Sequence, residues 1–440
     1  MSSTIDISLG APCGAIRAIH GINNSPSIVE AAALPAEKEA FRALRIPRVR
    51  HHDAPIENSR YELVDVSRLF PLWRADENDP ANYDFRPTDD YFAIARECGA
   101  DIEFRLGETI EHSPRRYRVM APEDPAKWAR ICANVVRHYN EGWADGYHWN
   151  IRRWSIWEEP DNIRLLDSPD EDDHGRWGVF ESRYLALYEA VSKLLKREFP
   201  DILVGGPQTM GASMDKLGCF LSFCKETDSP VDFLAWTCYT GDPEQIVRDV
   251  RAVRTLLDGS GFPKADVHLA EWHLGPKCWN TLHVPENREY MSSVHSGAFA
   301  AQVLTLLQDE PVDMAYFYGW GIGYWGLWER PFRRPYPVWH AFKAFADMTE
   351  CTRRLSVECT PAEGVSVLAG EIAEGGKRIL VSCYKSAAHV FKLRLPGAAK
   401  VSVTALTETG VSNYEIEPSP DGLFHCTGND GGSAAYLFRT

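Results

Sequence analysis

A chain of 440 residues with 44% apolar and 25% charged residues has material for one large and one small core, which excludes wholesale disorder. The formal net charge of −15 argues against a nucleic-acid partner, which needs clustered Lys and Arg, and no apolar run of about 18 residues is present to cross a membrane. The 11 cysteines are odd in number and form no CxxC, which argues against a secreted disulfide framework and a structural zinc site; with no basic and apolar leader at the start, a cytoplasmic protein is expected.

Along the chain, short β-rich apolar runs alternate with longer helical patterns. Ile5–Leu9 reads as a strand that joins a C-terminal sheet. Candidate strands then follow at Ala18–Ile22, Ile46–Arg50, Ile102–Leu106, Arg153–Trp157, Ile202–Gly205, Phe233–Tyr239, Val267–Glu271 and Met314–Tyr318. Between the third and fourth, Asp124 and Pro125 form a helix start, and Trp128, Ile131, Cys132, Val135, Val136 and Tyr139 repeat at the spacing of one helical face. Tyr184, Leu187, Tyr188, Val191, Leu194 and Leu195 repeat the pattern, and Phe199-Pro200 ends it. Eight strand–helix alternations predict an α/β fold, a closed (β/α)8 TIM barrel over residues 1–345. From 346 to 440, alternating strands such as Ile379–Tyr384 and Val390–Leu395, separated by Glu374-Gly375-Gly376 and Ser419-Pro420-Asp421-Gly422, predict a small antiparallel β-sandwich. Residues 1–17 add a strand to it.

Polar residues at the C-terminal ends of barrel strands form the active site of this architecture. Two ends carry a carboxylate beside tryptophan: Trp157-Glu158-Glu159-Pro160-Asp161 on the fourth strand and Ala270-Glu271-Trp272-His273 on the seventh. Glycoside hydrolysis needs such a pair, one carboxyl protonated to donate to the leaving oxygen and one ionised to attack the anomeric carbon. Other groups are weaker candidates. Arg105 and Glu108 read as a rim ion pair or a substrate contact. His112, His273 and Trp320 read first as packing. Asp76, Glu77, Asn78 and Asp79 lack the ligand spacing of a calcium loop, and Gly205-Gly206-Pro207 lacks a nucleotide fingerprint. No cofactor and no metal are expected.

At these residues the chain resembles glycoside hydrolase family 39, the β-xylosidase and α-L-iduronidase family, within a clan of barrel enzymes with catalytic Glu on strands four and seven. The resemblance runs from His20 to about Phe345. It is carried by the two Glu segments with His20-Gly21-Ile22-Asn23, Val49-Arg50-His51-His52-Asp53, Asp232-Phe233 with Trp236 and Tyr239, and Trp325-Gly326-Leu327-Trp328. It implies a retaining hydrolase acting on a small oligosaccharide or glycoside, exo-acting and β-xylosidase-like. By position it makes Glu159 the acid/base and Glu271 the nucleophile. Arg50 and Tyr239 hold the nucleophile. His52, Asp53, Glu158 and Trp236 fall among the substrate contacts, and Trp325 and Trp328 on the eighth loop present aromatic faces to a sugar. Two positions depart from the family: Glu158 stands where relatives have Asn, and Thr237 where they often have His. An added carboxylate at 158 repels an acidic sugar and raises the pKa of its neighbour. A carbohydrate-binding protein without turnover is the alternative reading. Oligomeric state, including a homo-oligomer, is left open.

Overall fold

The computed structural model describes residues 3–27, 34–52, 63–110, 122–162, 183–276, 285–329, 333–428 and 432–440. Asp53 and His112 lie outside them. Strand β1 (Ser3–Gly14) opens the chain. Eight parallel strands then close a barrel: β2 (His20–Asn23), β3 (Arg48–His51), β4 (Asp101–Leu106), β5 (Arg153–Ile156), β6 (Leu203–Thr209), β7 (Phe233–Thr240), β8 (Asp266–Leu274) and β9 (Met314–Tyr318), with β9 paired back onto β2. All eight lie where the alternation placed them. β6 and β8 run past the stretches that signalled them, through residues 206–209 and 272–274.

The surrounding helices follow their apolar faces. In Pro125–Asn140 the Asp124 carboxylate accepts from the Lys127 N–H at 2.9 Å, and Trp128, Ile131, Cys132, Val135, Val136 and Tyr139 are all buried. Leu185–Glu198 buries Leu187, Tyr188, Val191 and Leu195 and ends at Phe199. Val294–Leu306 differs, being apolar on nearly every side (VHSGAFAAQVLTL), so it must be covered all round. It lies between the barrel and the C-terminal sheet and packs on helix Pro337–Met348.

The barrel interior is ionic beneath its mouth, where branched aliphatic layers would be usual. Phe233, Ala235 and Ala270 form a small apolar cluster. Beside it, Tyr316 donates to Glu103 at 2.5 Å and His268 Nδ1 lies 3.1 Å from the same carboxylate, with the His268 ring stacked on Phe233. Burial works to raise the Glu103 carboxyl, but His268, Tyr316 and Arg50 outweigh it and hold it at about 2.

After the barrel come a short hairpin, β10 (Trp328–Glu329) with β11 (Arg334–Pro335), and helix Pro337–Met348, which spans the division drawn at 345/346. Then follow β12 (Arg353–Cys359), β13 (Val365–Glu371), β14 (Lys377–Ser386), β15 (Ala388–Arg394), β16 (Val401–Thr407), β17 (Gly410–Ile416), β18 (Phe424–Thr427) and β19 (Gly432–Arg439). With β1 they make one nine-stranded sheet in the order β17-β16-β19-β14-β13-β12-β1-β15-β18. It curls around Ile5, Ile7, Val381, Phe391, Leu393 and Phe438 until its edge strands almost meet, with Tyr414 Oη 3.3 Å from Cys426 Sγ. One pair departs from the antiparallel expectation: β1 runs parallel to β15. β1 arrives from the far end of the chain and not through a hairpin, so no tight turn dictates its direction.

The sheet is fastened to the barrel by polar contacts. Arg354 grips Asp309 through two bonds of 2.6 and 2.7 Å, Ser382 donates to the Ala298 carbonyl at 2.7 Å, and Tyr384 donates to the Gly241 carbonyl at 2.9 Å. The described cysteines are all free thiols. Among the described residues, no helix is long and apolar enough to cross a membrane.

Candidate active site

Glu271 faces the barrel mouth because β8 carries one extra residue. Trp236 and Thr237 of β7 pair with Leu269 and Glu271, while Ala315 and Phe317 of β9 pair with Leu269 and Trp272. Strand residues alternate sides, so with Ala270 inside the barrel a regular β8 would turn Glu271 toward the helices. The bulge re-aims Glu271 inward and sends Trp272 outward against Phe299 and Phe342.

Once there, Glu271 is 3% exposed and both its oxygens accept hydrogen bonds. Arg50 Nη1 reaches Oε1 at 3.2 Å, His52 Nε2 lies 3.0 Å from Oε1, and Tyr239 donates to Oε2 at 2.6 Å. Burial, then the charge of Glu271, pushes the Tyr239 phenol well up, so it stays a neutral donor. Arg50 is fully buried; burial opposes its charge, but Glu158, Glu271 and Glu103 outweigh that and keep it a cation. It also donates to Asn23 Oδ1 at 2.9 Å, to Gln208 Oε1 at 2.5 Å, and to Glu158.

Glu158 and Glu159 diverge because the chain after β5 is kinked. Trp157 and Glu159 have φ of 71° and 36°, in the left-handed region that non-glycine residues rarely adopt. Trp157 packs outward on Trp128. Gly107 makes room for this turn: a Cβ there would sit 2.6 Å from Trp157 Cα. Glu158 points inward, 1% exposed, against Arg50 and with His52 Nδ1 at 3.4 Å. Burial raises its carboxyl, Arg50 and His52 pull it down, and Glu271 pushes it up, leaving it raised overall. Glu159, 7% exposed, accepts from the Thr237 hydroxyl at 3.3 Å, and its N–H donates to the Gln208 carbonyl at 3.2 Å. Thr237 is also the register partner of Glu271, so the two Glu side chains flank one residue.

Of the expected substrate contacts, His52, Glu158, Arg50 and Tyr239 gather at Glu271. Trp325 is half-buried and stands perpendicular to Tyr239, ring centroids 5.6 Å apart. Trp236 is placed elsewhere: alternation on β7 sends Phe233, Ala235, Thr237 and Tyr239 inward and Trp236 out into the cluster between strands and helices. Trp328 is also apart, 6% exposed and stacked at 5.9 Å on Trp320, which donates to Glu37 and packs on Phe41. Glu158 is correspondingly less free than expected to repel an acidic sugar, since the Arg50 guanidinium is ion-paired with it and the His52 ring lies beside it. Arg105 pairs with Asp65 at 2.7 Å, not with Glu108, which accepts from Ser67 and is pushed by burial up to about 8. Asp76 and Asp79 fold their own loop and Glu77 pairs with Arg130 at 2.6 Å. His273 is neutral, lowered by burial to about 4.

Sequence reasoning missed Gln208 and Tyr318 as site residues and passed over Asn23. Gln208 is the extra residue of a second bulge, on β6, with φ of 59°. Tyr318 ends β9, its ring 6.0 Å from His52 and 6.2 Å from Tyr239. All three sit at strand ends, the one signal that would have found them. His52, Glu158 and Glu271 bring one donor atom each within 4.8 Å of one another. The Arg50 guanidinium already sits on both carboxylates, so the three form an ion-paired cluster rather than a set of metal ligands.

Solved structures share this architecture over the whole chain. A glucosidase from Croceicoccus marinus superposes with a TM-score of 0.76 at 22% identity, covering 100% of this chain and 98% of that one. A monomeric beta-xylosidase from Caulobacter crescentus CB15 gives 0.72 at 17%, covering 100% and 99%. The fold is therefore that of two-domain barrel proteins with a C-terminal β-sheet unit. In sequence, a beta-xylosidase from Geobacillus stearothermophilus is 26% identical over 259 residues, 52% of this chain, and the chain spans 47% of that relative's length. Residues 30–316 match the model of glycosyl hydrolases family 39, and the chain belongs to that family.

Proposed function

We propose that the protein is a retaining glycoside hydrolase acting on small oligosaccharides or glycosides, exo-acting, with β-xylosides the leading substrate class. The observation that carries this is Glu271, aimed at the barrel mouth by a bulge with donors on both oxygens, beside Glu159 across Thr237. An ionised carboxylate is acceptor-only, and two donors from Arg50 and Tyr239 suit that state and fix its direction. In the first step Glu271 attacks the anomeric carbon while Glu159 protonates the leaving oxygen. In the second, Glu159 takes a proton from water, which displaces Glu271 and releases the sugar with retained configuration. Water is the only co-reactant. Trp325 and Tyr318 supply aromatic faces beside Glu271 on which a sugar ring can lie. The xyloside preference rests on the name of the Geobacillus relative.

The second reading, sugar binding without turnover, is favoured by Glu158, which brings a second buried carboxylate onto Arg50. A panel of aryl glycosides with β-xyloside first, paired with calorimetry, separates the two. Turnover of at least one member is expected. Binding heats with no turnover on any member would shift the conclusion to the binding protein.

A further inference from the structure

We propose that Glu158 is a positioning residue that keeps the His52 ring doubly protonated, so that an imidazolium N–H is held against Glu271. The consequence for catalysis rests on the hydrolase reading above; the protonation of His52 does not.

The geometry sets two carboxylates on opposite edges of one buried ring. His52 is 1% exposed. Its Nε2 lies 3.0 Å from Glu271 Oε1 and its Nδ1 3.4 Å from Glu158 Oε2. A neutral imidazole has one N–H and one lone pair, so it would turn a lone pair toward one of these oxygens. An imidazolium presents a donor to Glu271 and its positive charge to Glu158, whose Oε2 is within ion-pair distance of Nδ1 but outside hydrogen-bond geometry. The charges agree with this count. Glu158 and Glu271 share Arg50, which neutralises one of them, and a cationic His52 neutralises the other. With an amide at 158, Arg50 alone would balance Glu271 and the second proton on His52 would lose its partner.

Other groups also face His52. On β3, Arg50 opposes the proton. From β4, Arg105 donates to the His52 carbonyl at 2.8 Å and also opposes it, but is itself paired with Asp65 at 2.7 Å. From β9, the Tyr318 ring lies 6.0 Å away and brings no charge. From β7, Tyr239 is a neutral donor to Glu271 at 2.6 Å. The two carboxylates lie within ion-pair distance of the ring nitrogens and both favour the proton.

The test uses the full chain with 15N-labelled histidine, His52 being identified by the signals lost in His52→Gln. In the wild type both ring nitrogens should keep imidazolium shifts to at least about pH 8, and in Glu158→Gln the ring should titrate at least about one pH unit lower. Glu158→Asp, which restores the charge, should recover most of that difference. The alkaline limb of the Glu158→Gln kcat profile should move to lower pH by the same interval. A neutral His52 at pH 7 in the wild type overturns the proposal, as does an unchanged titration in Glu158→Gln. Should Glu158→Gln not fold, the wild-type titration alone decides. Should no glycoside be turned over, the nitrogen shifts still answer the question, so failure of the hydrolase reading and failure of this one are told apart.

Discussion

Glu271→Ala is expected to lower kcat/KM for an activated aryl glycoside on the order of 10⁴-fold, a loss of about 5–6 kcal/mol of transition-state stabilisation. The side chain proposed to form the covalent bond is removed, and what remains is binding and the proton donor. The substitution is also clean structurally. Glu271 packs against polar groups, and Arg50 retains Glu158, Gln208 and Asn23 as acceptors. The space left beside Arg50 and Tyr239 admits a small anion. Added azide should therefore restore a measurable part of the rate and yield a glycosyl azide. Activity retained within a few-fold of wild type would remove Glu271 from the nucleophile's role.

Glu103→Gln is expected to destabilise the barrel by about 3–5 kcal/mol at neutral pH, the cost of breaking a buried charge pair by deleting one partner. Glu103 is fully buried, and His268, Tyr316 and the lower side of Arg50 are built around its charge. For a barrel of this size the melting temperature should fall by about 4–7 °C. The pH dependence has a definite sign. The folded carboxyl sits at about 2, below its ordinary 4.5. Its stabilisation is thus complete above 4.5 and is lost as pH falls from there toward 2, about 3 kcal/mol in all. His268 is raised instead, so its contribution is present below its unfolded value and lost as pH rises, outside this acid window. The acid slope of stability between pH 5 and 2 should be shallower in Glu103→Gln than in wild type. Equal slopes would show that Glu103 does not carry the acid sensitivity.

The strands of the barrel were legible because short β-rich runs alternate with longer helical patterns along the chain, even where an inward position is charged, as at Glu103 and Arg50. Glu159, Glu271, Arg50, His52 and Tyr239 were legible through the motifs around them. What escaped was decided by single extra residues. The bulges at Ala270-Glu271 and at Gln208 leave no mark in a hydrophobic pattern, yet they settle which side chains face the mouth. Trp236 and Trp328 were expected as sugar contacts from their positions in the family resemblance, whereas strand alternation and Trp320 place both in packed interiors. β17 was invisible for a different reason. Its residues are exposed at every position but the last, so it has no alternation to read and is held by pairing with β16.

The configuration of the first-formed sugar, followed by proton NMR during turnover of a β-glycoside, tests the central claim most directly. Attack by Glu271 followed by water predicts that the β-anomer appears first and mutarotates afterwards. An α-anomer appearing first would contradict it, because a single displacement by water leaves no place for Glu271 as nucleophile.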